Sequence, residues 1–258
     1  MTQPVKIVVC VKHVAVLGDE IRFTPDERDV DEDYYDRALN EWDACAAEEA
    51  LRIRERLGGE GEIVVVAVGG PSADVALQRC LAMGADRAVR IATERPIHDP
   101  IAIAHALSGT IAPEGPDLVL VGVQSSDSAQ GSTGAALAQF LDVSRVAVVK
   151  EVGYDHAARR AVVHRELEGG LVDVVEVDAP AVLAIQTGIN EPRYPAFRAI
   201  KDAERKEIPL VPAADEGVNG YHIRRMFVPP KSEGAEMLDG TPADVARRIA
   251  EIVKERLA

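Results

Sequence analysis

Positive charge is scarce in this chain: 29 Lys and Arg stand against 43 Asp and Glu, a formal net charge of −14 over 258 residues. A surface so acidic repels nucleic acid and anionic membranes outside any local basic patch, which excludes both as general partners. Cysteine is scarce too. Cys10, Cys45 and Cys80 are widely spaced, odd in number and without a CxxC pair, so zinc-ribbon and dithiol chemistry are excluded. They read as small buried apolar residues in a reducing cytoplasm. No apolar run approaches the ~20 residues that span a bilayer, and "MTQPVKIVVCVKHV" at the start carries only a short one. Neither export nor membrane insertion is expected. Signature motifs are missing as well: no GxxxxGK followed by Ser or Thr, no GxGxxG after the first strand, no GxSxG elbow. The six histidines, at 13, 98, 105, 156, 164 and 222, lack HxH or HExxH spacing, so no metal site is expected.

What is present is an alternation of buried strands and helices. "VKIVVCVK" (5–12), "EIVVVAVGG" (62–70) and "DLVLVGV" (117–123) are nearly continuous β-branched runs, which suit strands buried on both faces of a parallel sheet. Helical patterns lie between them, at 40–59, at 71–91 with a stop at Gly84, and at 99–116. This order predicts a doubly wound, mainly parallel α/β sheet. The second half changes character: residues 160–185 alternate around Gly169-Gly170, the mark of an antiparallel hairpin extension. A Pro/Gly-rich arm follows from 209 to 240, and Thr241-Pro242 opens a final helix to about 257. The expected division is a nucleotide-binding α/β domain over 1–208 and an extended arm with its helix over 209–258.

Ligands of open α/β sheets bind beyond the carboxyl ends of the strands, here Cys10 to His13, Val68 to Pro71 and Gly122 to Ser126. After the third strand comes "GVQSSDSAQGSTGAALAQF" (122–140), glycine and hydroxyl residues leading into an Ala-rich helix. Helix-start amides with Ser132 and Thr133 can hold a phosphate without any lysine. With no Walker lysine, the loop suits holding a nucleotide rather than hydrolysing one; the alternative is a loop that only caps its helix. Trp42 is either a core residue or an edge against a flat ring. The pairs Glu48-Glu49 and Glu166/Glu168 read as solvated charges.

Five separated motifs make the chain resemble the beta subunit of electron-transfer flavoprotein over essentially its whole length. They are "KIVVCVKHV", "LNEWDACAAEEALRI" (39–53), "CLAMGADRAVRI" (80–91), "GVQSSDSAQGSTG" (122–134) and "HRELEGGLVDVVEVDAPAVLAIQTGINEPRYPAFRAIK" (164–201). "LNEWD", "GVQSSD" and "RRMFVPPK" are most similar to the beta subunits of methylotrophic bacteria. The resemblance implies a structural AMP contacted by Cys10, Asn40, Glu41, Trp42, Asp43, Gly69, Gly122, Val123, Gln124, Ser125, Ser126, Asp127, Ser128, Ala129, Gln130, Gly131, Ser132 and Thr133. It also implies an FAD held mainly by an alpha subunit, with Trp42 lent to the flavin side. A recognition loop at about 188–203 would dock dehydrogenases through Tyr194, Phe197 and Ile200, with Phe197 where the family carries a leucine. On this reading the chain is a cytoplasmic electron carrier without turnover of its own, passing electrons from amine or acyl-CoA dehydrogenases toward a quinone reductase. The alternatives are a bifurcating form with a second FAD in place of AMP, and a stand-alone nucleotide-binding α/β domain.

Overall fold

The computed structural model describes residues 4–18, 20–93, 96–213, 220, 222–230, 234–235 and 237–257. In chain order the elements are β1 (Lys6–Cys10), β2 (His13–Ala15), β3 (Arg37–Leu39), α1 (Glu41–Arg56), β4 (Glu62–Gly69), α2 (Asp74–Met83), β5 (Arg87–Ala92), α3 (Pro100–Ile111) and β6 (Leu118–Gly122). There follow α4 (Thr133–Leu141), β7 (Ser144–Asp155), β8 (Arg160–Glu166), β9 (Val172–Asp178), β10 (Ala181–Ile185), α5 (Phe197–Ala203), β11 (Leu210–Pro212) and α6 (Pro242–Leu257). Among the described residues nine strands form one sheet, in the order β11-β5-β4-β1-β6-β10-β7-β8-β9. Every neighbouring pair from β11 to β7 is parallel, and β8 and β9 extend the edge antiparallel. The doubly wound sheet with an antiparallel extension and a C-terminal helix is therefore the architecture found.

Both faces of the parallel part are covered, which is why its strands carry no polar alternation. Ile7, Val9, Ile63, Val65, Leu118 and Leu120 pack with Ala46, Ala50 and Leu51 of α1 and Leu77 of α2. Val8, Cys10, Val64, Val66, Val119 and Val121 pack on the other face with Ala104 and Leu107 of α3 and Leu137 of α4. All three cysteines are buried and free.

The outer strands were harder to foresee. β10 lies within the stretch expected to alternate, yet it runs between β6 and β7, parallel to both. Its sequence, AVLAI, is a continuous apolar run almost wholly buried, which suits the sheet interior and not a hairpin edge. The hairpin itself is β8 and β9, turning at Gly169 and Gly170, both with left-handed φ (75° and 76°), and β7 pairs antiparallel with β8. β5 escaped the apolar-run criterion because Arg87 and Arg90 interrupt it; Arg90 is buried against Asp74 at 2.9 Å. β11 pairs with β5 and so belongs to the sheet, although it lies beyond residue 208.

Contacts divide the chain into two compact units, Met1–Arg225 and Met226–Ala258. In the second, Thr241 and Asp244 cap α6 reciprocally: Thr241 Oγ1 donates to Asp244 Oδ2 at 2.6 Å, and the Asp244 amide faces Thr241 Oγ1 at 3.4 Å. The arm expected over 209–240 falls partly outside the described residues, as does the end of "RRMFVPPK".

Candidate functional site

Chain order β1-β4-β5 builds the sheet in one direction from β1, and β6 then starts the other side, so the sheet reverses between β1 and β6. At such a switch point the loops diverge and leave a crevice beyond the strand ends. The strand-end amides there lose their ladder partners, and a buried N–H must find another acceptor. Asp43, in the first turn of α1 and 6 % exposed, supplies it for both sides. Its Oδ2 accepts from Lys12 N at 2.8 Å and its Oδ1 from Gly122 N at 3.0 Å. Burial pushes the Asp43 carboxyl up to about 7, against the pull of these amides, Asn40 and the Lys12 ammonium.

Asn40, 1 % exposed, sits one turn earlier. Its Nδ2 donates to Gln124 O at 2.9 Å, its Oδ1 accepts from Ser126 N at 3.2 Å, and its own amide donates to Lys12 O at 2.9 Å. Only a side-chain amide offers a donor and an acceptor in this arrangement, so Asn40 pairs with the 124–126 backbone as a strand would. Asn40 and Asp43 thus fasten the start of α1 to the loop after β6.

Farther along that loop, the Lys12 ammonium meets Asp127 at 2.7 Å and Ser125 Oγ at 3.3 Å. Ser125 Oγ donates to Asp127 Oδ1 at 2.6 Å and lies 2.9 Å from Ser128 Oγ. Burial works to raise the Asp127 carboxyl, but Lys12 and Ser125 outweigh it and hold the group below its ordinary value. Ala129 and Gly131 take left-handed φ (49° and 62°), turning the chain back into α4. Ser132 precedes α4 without making a side-chain cap, and Thr133 is its first residue. The helix-start amides therefore keep their donors for something other than Ser132.

The remaining expected residues have separate places. Trp42 is half-buried over the end of β6, its Nε1 donating to Gln186 Oε1 at 2.8 Å just past β10. Glu41 is exposed. The Cys10 side chain belongs to the core on the α3–α4 face, where burial raises its thiol. Gly69, at the end of β4, lies near His13, whose Nε2 is 3.0 Å from Ser72 Oγ. Val123 holds Ile185 O by its amide at 3.0 Å, and the Gln130 side chain reaches His98 O at 3.4 Å. Among the described residues no cluster of His, Cys, Asp or Glu could hold a metal ion, and no helix is long and apolar enough to cross a membrane.

Tyr194, Phe197 and Ile200 lie apart from the crevice, on the segment after β10. Tyr194 and Phe197 are 83 % and 75 % exposed, whereas Ile200 packs against the core. Here the sequence reading needs correction. Glu48 and Glu49 are not solvated charges but buried ones, 2 % and 4 % exposed, and they hold this segment through Arg193 and Asn190. The role of Lys12 as a loop contact is not readable from the sequence, although it closes the first strand run; Gln186, Asn190 and Arg193 lie within the 164–201 motif, but their partners are not readable from it.

The fold is that of an open, doubly wound α/β protein whose sheet reverses between β1 and β6. Residues 29–216 match the model of the electron transfer flavoprotein domain. The chain is 42 % identical over 260 aligned positions, covering 97 % of it and 98 % of the relative, to the electron transfer flavoprotein subunit beta of Methylophilus methylotrophus. It is 34 % identical to the subunit beta of Mycobacterium bovis, over 84 % of this chain and 82 % of that one. To the mitochondrial subunit beta of Arabidopsis thaliana it is 33 % identical, over 90 % and 93 %. This chain belongs to the electron transfer flavoprotein family.

Proposed function

We propose that the chain is the beta subunit of a heterodimeric electron-transfer flavoprotein, a cytoplasmic electron carrier with no turnover of its own. The crevice between the ends of β1 and β6 holds AMP as a structural ligand, and an alpha subunit holds most of the FAD. The observation that carries this reading is the joint of Asn40 and Asp43 with the 122–128 loop, which fixes a crevice bordered by the uncapped start of α4. Its donors suit a phosphate: α4 amides, the Ser132 and Thr133 hydroxyls, and Lys12 as the nearby cation. Asp43 and Asn40 act by holding the walls, since their polar atoms are engaged by backbone groups.

FAD supplies the redox chemistry when bound in the alpha subunit. Trp42, tethered by Gln186 at the rim of the crevice, presents an apolar edge that shields the flavin side from water. Tyr194 and Phe197 dock amine or acyl-CoA dehydrogenases, from which electrons pass toward a quinone reductase; Ile200 supports them from within the core. Residues from about 209 onward grip the alpha subunit. α6 supports this with an exposed apolar stripe, Ile249, Val253 and Leu257, and no buried residue of its own.

Acid extraction of the purified heterodimer tests the assignment. One AMP and one FAD per heterodimer is the expected result; two FADs and no AMP would make it the bifurcating form, and a folded chain isolated alone would speak for a free-standing domain. Ser132→Ala combined with Thr133→Val should release AMP during purification, and an undiminished AMP content in that variant would reject the phosphate site.

A further inference from the structure

We propose that Arg193 and Glu48 are positioning residues which, with Asn190 and Glu49, mount the segment bearing Tyr194 and Phe197 rigidly on α1. The proposal rests on the docking role given to that segment above. Glu48 Oε2 accepts from Arg193 N at 3.1 Å and Arg193 Nε at 2.8 Å, and its Oε1 from Arg193 Nη2 at 3.0 Å and Arg52 Nε at 2.9 Å. The remaining side of the guanidinium is held by Glu55 at 2.8 Å from Nη1. Beside it, Asn190 Nδ2 donates to Glu49 Oε2 at 3.1 Å and Cys45 O at 3.0 Å, while Arg56 covers Glu49 Oε1 at 2.8 Å. Burial works to raise the Glu48 carboxyl, and the bonds from Arg193 and Arg52 hold it below its ordinary value.

Two buried carboxylates are a costly way to fasten a loop, because replacing such pairs by apolar packing is often neutral or stabilising. What a forked guanidinium adds is orientation: backbone and side chain of one residue are fixed together. On the other side of the two rings, Ile200 packs against the core and Ala203 is buried. Tyr194 and Phe197 are thus held between two fixed points with buried Pro195 between them, and they project outward. Arg79 lies 4.5 Å from the centre of the Tyr194 ring and Lys201 5.8 Å from that of Phe197, so each exposed ring has a cation beside it. Loop ordering that precedes encounter no longer weakens binding, which suits a carrier that must dock quickly with a small patch.

The test uses the intact heterodimer with Arg193→Lys, Glu48→Gln and Phe197→Ala. Hydrogen exchange read by mass spectrometry should be about tenfold faster over residues 194–203 in Arg193→Lys, and unchanged in the core of α1, because lysine keeps the charge but loses the fork. With the dehydrogenase that reduces the wild-type heterodimer, sought among amine and acyl-CoA dehydrogenases, KM for the heterodimer should rise about tenfold at unaltered kcat, AMP and FAD content. Glu48→Gln should act in the same direction. Unchanged exchange in Arg193→Lys overturns the mount. Faster exchange with an unchanged KM, where Phe197→Ala raises KM, overturns the positioning role alone. If Phe197→Ala leaves KM unchanged, the docking reading fails, and the proposal built on it falls with it.

Discussion

Replacing Gly122 by alanine would strike a place where α1 and β6 come too close for a side chain. Gly122 does not have a left-handed φ, so the penalty is contact and not backbone strain. A methyl group there would overlap the Asp43 carboxylate, stand 2.7 Å from Trp42 Cβ and 3.2 Å from the Asp43 amide nitrogen. Two of these neighbours are fixed near the helix backbone, so relief requires the first turn of α1 to move off β6. That movement breaks the bond from Gly122 N to Asp43 Oδ1 and leaves a buried donor without an acceptor. Overpacking costs about 1–3 kcal/mol and a donor left without its acceptor about 1–3 kcal/mol, so the variant should lose roughly 2–6 kcal/mol. Urea unfolding should show a lower midpoint at an unchanged m-value. Trp42 is the only tryptophan in the chain, so its emission in the folded state should shift as well. Gly70→Ala is the control, since Gly70 has open space around its Cα and no left-handed φ. A Gly122→Ala protein with the wild-type midpoint and unshifted emission would refute the close approach of α1 and β6.

Two further outcomes are expected. Burial holds the folded-state pKa of Asp43 at about 7, above the ordinary carboxylate value of 3.8, so the protonated form is favoured by folding; its stabilising contribution is complete below about pH 4 and is lost as pH rises through 7. Asp43→Asn cannot titrate, so the difference in urea stability between wild type and variant should move against wild type between about pH 4 and 7; parallel profiles would contradict the buried carboxylate. Ending the chain after Arg225 should leave the Met1–Arg225 unit folded by circular dichroism but abolish co-purification with the alpha subunit, and recovery of a normal heterodimer would remove α6 from that interface.

Sequence patterns revealed what depends on neighbours along the chain. β1, β4 and β6 follow from runs whose both faces are apolar, α2 stops where Gly84 takes a left-handed φ of 127°, and the β8–β9 turn follows from paired glycines. The insertion of β10 between β6 and β7 depends on which edge is free once the other strands are in place, and periodicity is silent on that. The same limit applied at the site. Asp43 could be suspected of touching a ligand, but its engagement with amides at Lys12 and Gly122 is set by strands far away in sequence. Glu48 and Glu49 looked solvated because two acids on a helix usually are, and their cations, Arg193 and Arg56, include one 145 residues away. Lys12 was closest to legible, standing directly after the first strand.

Asp43 has a counterpart at the opposite end of the same strands. Asp117, just before β6, accepts from Lys6 N at 2.9 Å and from Arg159 Nη1 at 2.5 Å, while its own amide donates to Lys6 O at 2.8 Å. One aspartate therefore ties β1 to β6 at their amino ends and another at their carboxyl ends, and between them the ladder pairs Ile7, Val8 and Val9 with Leu118, Val119 and Leu120. α1 covers one face of both strands at the reversal, packing Ala46, Ala50 and Leu51 on Ile7, Val9, Leu118 and Leu120, but beyond the strand ends the loops diverge. Fastened at both ends, β1 and β6 cannot splay, and the width of the crevice is a property of the protein before any ligand enters. The nucleotide proposed for this crevice would meet walls already in position and lose little free energy to ordering them, which is the condition for a ligand held as a permanent part of a structure.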